Sequence, residues 1–156
     1  MYRDFSTELS DILYKLSDNQ ELCKLIGYKD TDPLSKENYP NSLGLIWTKI
    51  FPYPKIPTIN DEASVYLNVF YDGFRPYNGE YMNNNFYVQI IVHNTLVRIK
   101  GGIRYLKIFQ ELNSMFNVKS GFGIDKMVLD RTKYVYLNNN QYVMMECIYR
   151  MSDVNG

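Results

Sequence analysis

The chain has one histidine, two cysteines and no surplus of either charge. Each shortage excludes a class of function. With His93 as the sole histidine, any Ser/His/Asp or Cys/His catalytic system has to be built around it. It ends a strand-like run on the less apolar face, a position that suits a structural or surface residue. Cys23 and Cys147 are far apart, and Cys147 alternates within an apolar run, which reads as a buried free thiol. Zinc sites need several Cys and His ligands at set spacing, and these three scattered residues do not supply them. Lys plus Arg balances Asp plus Glu at 17 each, whereas a dedicated nucleic-acid binder needs a basic excess. No window approaches the roughly 20 apolar residues of a membrane span. The opening MYRDFSTELSDILYKL is charged and has no apolar h-region, so no cleavable leader is expected. Asn-x-Ser/Thr does not occur. These shortages fit synthesis in a reducing cytosol.

What is present is apolar residue and tyrosine. The hydrophobic fraction of 46% is ordinary for a globular chain, and 156 residues suit one domain with a real core. Tyrosine occurs 15 times, beside abundant Asn and Lys. AT-rich codons favour the same residues, and Tyr also supplies broad contact area with a polar tip at interfaces.

Periodicity places the elements. Ser6 is positioned to cap a first helix whose Leu9, Ile12, Leu13 and Leu16 share one face, with Glu8 and Asp11 in its early turns. Asp18 or Asn19 caps a shorter helix carrying Leu22, Leu25 and Ile26, and Gly27 reads as its stop. Residues 28–44 read as loop with one helical turn near Pro33. In LIWTKIFPYPKIPTI, Pro52, Pro54 and Pro57 forbid both helix and central strand, which leaves an extended arm. Residues 63–71 and 86–92 alternate as strands, separated by a long loop at 72–84. Gly101-Gly102 opens the main helix, about 102–116, whose stripe is Ile103, Leu106, Phe109 or Ile108, Leu112, Met115 and Phe116. NVKSGFGI breaks it. Met127–Leu129 reads as a short strand. Residues 134–137 and 142–150 flank Asn138-Asn139-Asn140, a hairpin signal because Asn tolerates positive φ. The expected fold is one α+β domain over residues 1–156. Its mainly antiparallel sheet is flanked by the N-terminal and central helices and closed by a C-terminal hairpin.

Candidate chemistry is sparse. Asp30 and Asp32 in DTDP, with Asp61 and Glu62, have the residue type for Mg²⁺ binding or acid–base work, and equally for turns and caps. Lys100-Gly101-Gly102, with Arg98 and Arg104, has free N–H groups and charge for a phosphate, but neither a Walker nor a GxGxxG pattern. A solvated turn or a salt-bridge patch at an interface is the plainer reading. The Pro-rich arm is either a strap across the sheet or an arm that docks on a neighbour with little entropy lost. No catalytic, cofactor or metal residue is assigned. The candidate interface residues are Phe51, Tyr53 and Ile56 on the arm, Phe74, Tyr77 and Tyr81 in the loop, and Arg98, Lys100 and Arg104 at the turn.

The order of features resembles one family. An amphipathic helix, LCKLIGYKDTDPL, the FPYPKIP arm, two strands around a long loop, YVQIIVH leading through GGIR into a helix, and a closing hairpin are similar to tail-terminator and tail-completion proteins of tailed bacteriophages. The resemblance covers roughly residues 1–150. It implies a non-enzymatic α+β virion protein with no cofactor, assembled in the host bacterial cytoplasm and residing in the tail or neck. Its partners would be copies of itself in a ring, usually a hexamer, with the tail-tube protein and neck or connector proteins. No membrane and no specific nucleic acid are implied. Alternatives are a head–tail connector of the same particle, a small metal-dependent nuclease using Asp30, Asp32 and Asp61, and a monomeric adaptor that binds a partner along an edge strand.

Overall fold

Asp4, rather than Ser6, starts the first helix. Its carboxylate accepts from the Thr7 N–H at 3.1 Å and the Thr7 hydroxyl at 2.8 Å, and so satisfies an orphan donor of the first turn. The structure, a computed structural model, describes residues 4–77, 80–82, 85–117, 127–138 and 140–151, with the side chains of 77 and 80–82 outside that description. Helix α1 (Phe5–Asp18) buries Ile12, Leu13 and Leu16, the face that periodicity picks out. Asn19 closes α1 and caps α2 (Gln20–Gly27), accepting from Leu22 N–H at 3.1 Å. Gly27 is the last residue of α2, not a left-handed stop. A Cβ there would overlap the Tyr39 ring, so packing selects the glycine.

The strands are β1 (Ile50–Phe51), β2 (Val65–Asp72), β3 (Arg75–Tyr77), β4 (Glu80–Met82), β5 (Asn85–His93), β6 (Arg98–Ile99), β7 (Gly102–Ile103), β8 (Met127–Val135) and β9 (Tyr142–Met151). The main sheet runs β1-β2-β5-β9-β8, antiparallel except for the short β1–β2 pair. Together with three α-helices this is the mixed α+β domain expected.

Four expectations need correction. The segment 72–84 is not plain loop, because β3 and β4 pair across it. The short strand at 127–129 and the one placed at 134–137 are a single edge strand, β8, with a bulge between Leu129 and Arg131. Gly101-Gly102 does not open the helix. It turns the β6–β7 hairpin, with φ of 85° and 154° that favour glycine. Helix α3 (Arg104–Phe116) therefore starts later and buries Ile108, Leu112 and Phe116, while Ile103 and Leu106 stay exposed. The proposed helix-breaking segment lies, after Asn117, outside the described residues.

The core lies between the helices and one sheet face, where Val65, Leu67, Val69, Phe86, Val88, Ile90, Cys147 and Tyr149 meet α1, α2 and α3. Both cysteines are buried free thiols. Burial pushes Cys23 up to about 11 and Cys147 up to about 12, which keeps them protonated and inert. The Asn138–Asn140 turn joins β8 to β9. Asn140 has φ 55°, and its carbonyl accepts from Asn94 Nδ2 at 2.9 Å. Asn139 lies outside the described residues.

Candidate functional site

Among the described residues no helix packs on the other sheet face, and the Pro-rich arm crosses one end of it. Phe51 turns inward with Tyr66, Ile91, Tyr142 and Met144 to form a second, smaller core. Lys55 lies over the Phe51 ring at 5.1 Å and the Tyr66 ring at 5.9 Å, and its backbone carbonyl accepts from Asn68 Nδ2 at 2.9 Å. The arm is thus a strap at Phe51 and Lys55. Tyr53 and Ile56 point out.

Beyond the strap a polar ladder crosses four strands. Asn68 Nδ2 donates to Gln89 Oε1 at 2.9 Å, Gln89 Nε2 donates to Glu146 Oε2 at 2.9 Å, and Lys133 Nζ lies 3.6 Å from Glu146 Oε1. Asn68, Gln89 and Glu146 are buried, so each needs these partners. The ladder also fixes register, because a one-residue slip would turn the three polar groups into the apolar core.

An open cleft of about 560 Å³ lies between the arm tip and the end of β8, lined by Ile56, Pro57, Thr58, Ile59, Tyr136, Leu137 and Asn138. Its apolar walls are exposed, Ile59 at 70% and Tyr136 at 94%. Trp47, the single tryptophan, is 63% exposed and has a left-handed φ of 72°. Sequence reasoning did not single out Trp47, Ile59 or Tyr136. The one available signal was a lone Trp beside the arm.

The sequence-based site residues scatter. Phe74 is half exposed, meets Phe5 edge-on and lies tilted against Tyr71. The side chains of Tyr77 and Tyr81 lie outside the described residues. Arg98 is exposed, and the exposed Lys100 lies 3.7 Å from Asp32. Phe51 and Arg104 are corrected from surface to interior, Phe51 by the second core and Arg104 by a cage of carbonyls.

Arg104 is wholly buried. Its Nε donates to Leu96 O at 2.8 Å, Nη1 to Leu25 O at 2.7 Å and Tyr28 O at 2.9 Å, and Nη2 to Asp30 O at 2.9 Å. Leu25 lies in the last turn of α2 and Tyr28 follows it, at the negative end of the helix dipole with its orphan carbonyls. The cation clamps α2, the DTDP loop and the start of α3 together. Burial lowers its pKa from the ordinary arginine value, opposed by the Asp30 carboxylate.

The carboxylates of the nuclease alternative stay separate. Asp30 pairs with Lys36 at 3.2 Å, Asp32 lies by Lys100, and Asp61 accepts from Thr58 N–H at 2.7 Å. Among the described residues no three His, Cys, Asp or Glu side chains group to hold a metal. Glu62 accepts from Lys29 at 2.6 Å and Lys49 at 2.8 Å, and these bonds hold its carboxyl down at about 2. His93 Nδ1 accepts from the Thr95 N–H at 3.3 Å, and its ring meets Tyr142 edge-on. Among the described residues no helix is long and apolar enough to cross a membrane.

A family model described as YomW matches residues 19–151. The chain belongs to the YomW family. The match begins at the α2 cap, Asn19, and ends at Met151, the last residue of β9. The YomW region thus holds α2, α3 and the whole sheet, and leaves α1 outside. YomW is a phage-derived name, which makes this a phage-related protein. No curated protein matches the chain.

Proposed function

We propose that this phage-related chain is a structural virion assembly protein. It closes into a ring, most simply of six copies, on the last ring of a tail tube. The ring halts tube growth and presents a new surface to the neck. The observation that carries the reading is the exposed apolar surface of the arm side: Tyr53, Ile56, Ile59 and Tyr136, set on a rigidly strapped sheet. Scattered surface apolar groups are ordinary, but a lined apolar cleft marks a contact site. Neutral net charge leaves little self-repulsion against association. Ring size and the tail-terminator position come from the family resemblance and the order of elements.

Sedimentation at rising protein concentration, with imaging of purified tails mixed with the protein, is the test. Closed rings in solution or on tail ends are expected. A wild-type chain that stays monomeric at high concentration and leaves tails uncapped overturns the reading.

A further inference from the structure

The two edges of the sheet carry surfaces of opposite kind. Beside β1, the Trp47 N–H donates to Ile50 O at 2.8 Å while the indole side chain is exposed. Leu43, four residues before Trp47 in the chain, and Tyr14 of α1, both more than half exposed, line one shallow cleft of about 360 Å³. Asp11 and Asp18 lie three residues before and four after Tyr14, so the three share one exposed stripe of α1. Asp4 continues that stripe one heptad earlier, and Lys15 is the one exposed cation on the helix. The surface is aromatic with an acidic border.

At the far edge, β8 is basic and aromatic. Tyr134 and Val128 are half exposed, and the Tyr134 hydroxyl lies 2.8 Å from that of Tyr105. Arg131 and Lys133 are exposed and lie, by strand alternation, on the sheet face opposite Tyr134, and Lys133 is the cation that pairs with Glu146 in the polar ladder. Asp130 is 3.6 Å from Arg150, and Arg131 has no acidic partner among the described residues.

We propose that the β1 edge of one copy, through Trp47, Leu43 and Tyr14, docks on the β8 edge of the next, with Asp11 and Asp18 facing Arg131. This assignment rests on the ring reading and names its surface. The occupant is a second copy because charge and aromatic character match across the two edges. An edge-to-same-edge contact would set Arg131 against itself. Opposite edges of one sheet make the contact head-to-tail, the geometry that closes a ring or propagates. The β8 bulge blunts plain strand addition, so side chains make the joint. Trp47 has the profile of an anchor: a large aromatic held in a sparsely populated backbone state.

The test uses two variants. Trp47→Asn removes the β1-edge anchor with a residue that accepts positive φ, and Tyr134→Ser removes the β8-edge anchor. Each alone should weaken self-association tenfold or more by sedimentation. Mixed one to one, they should form a heterodimer and no ring, because the mixture holds one intact edge of each kind. Asp11→Asn with Asp18→Asn, and Arg131→Gln, repeat the pair on exposed positions if an aromatic variant fails to fold, and being neutral they cannot restore the joint by exchanging charge. Rings that survive in either single variant, or a mixture that stays monomeric, overturn the assignment and leave the ring reading standing. Wild-type protein that is monomeric both alone and on tails overturns both.

Discussion

At the residue scale, Arg104 does the most to hold distant segments together. Its four carbonyl acceptors come from α2, the loop after it and the turn before α3. Arg104→Ala would leave buried acceptors unmet, and about 3 kcal/mol or more of stability should be lost in urea unfolding. Arg104→Lys keeps the charge but offers three donors to four acceptors, so an intermediate loss is expected. Equal losses for Ala and Lys would show that packing, and not the donors, carries the clamp. Glu62 gives a pH signature. Its folded-state pKa, about 2, lies below the ordinary 4.5, so its contribution is present above pH 4.5 and is lost as pH falls toward 2. The carboxylate is 60% exposed, which limits that contribution to less than about 1 kcal/mol. Glu62→Gln should melt slightly lower than wild type at pH 7, and the gap should close by pH 2. A gap that is constant with pH would place the effect elsewhere.

At the element scale, glycine and edge strands separate what was legible from what was hidden. Gly27→Ala in a helix would ordinarily raise stability by up to about 1 kcal/mol. Here the new methyl meets the Tyr39 ring, so a loss of about 1–3 kcal/mol is expected in thermal or urea unfolding, reversed in sign if Tyr39 is first cut to Ala. No local pattern shows that, because Tyr39 is a loop residue twelve positions on. The central strands were legible because one buried face gives clean alternation, as in Val65, Leu67 and Val69. The edge strand was not: Asp130-Arg131-Thr132-Lys133 faces solvent at an edge and carries a bulge, so no period survives. Arg104 was misplaced for a related reason. It sits in a basic turn, and three of its acceptors lie 74 to 79 residues away in sequence, on the backbone, where side-chain patterns leave no trace. The arm holds no helix and only the two-residue edge strand β1, as its prolines require, but which of its residues point in depends on where Asn68 and Tyr66 wait across the sheet.

At the scale of the whole molecule, the reading is of a part that works by shape. The structural proposal expects no hydrolysis or transfer. A nuclease assay with Mg²⁺ or Mn²⁺ checks it directly, and cleavage that disappears in Asp32→Asn would replace the assembly reading with an enzyme. Asp30, Asp32 and Asp61 each lie by a different lysine, Lys36, Lys100 and Lys55 respectively, so the nuclease alternative requires them to regroup.

The position of β9 sets a schedule. This strand follows every other described element in sequence, yet it lies inside the sheet, between β5 and β8, and pairs along its length with both. On a ribosome the helices and the β2–β5 pair emerge early and must wait with one flank open until Met151 has cleared the exit tunnel. Such late closure of distant pairings is slow and exposes sticky edges. A chain stopped after Gln141 should therefore be captured by chaperones or degraded, which pulse-labelling would show as a short half-life beside the stable full chain. A native-like half-life for that fragment would mean that the early strands hold without their centre. On the assembly role proposed above, this ordering has a use: no copy presents a finished surface to a partner until its synthesis has run through β9.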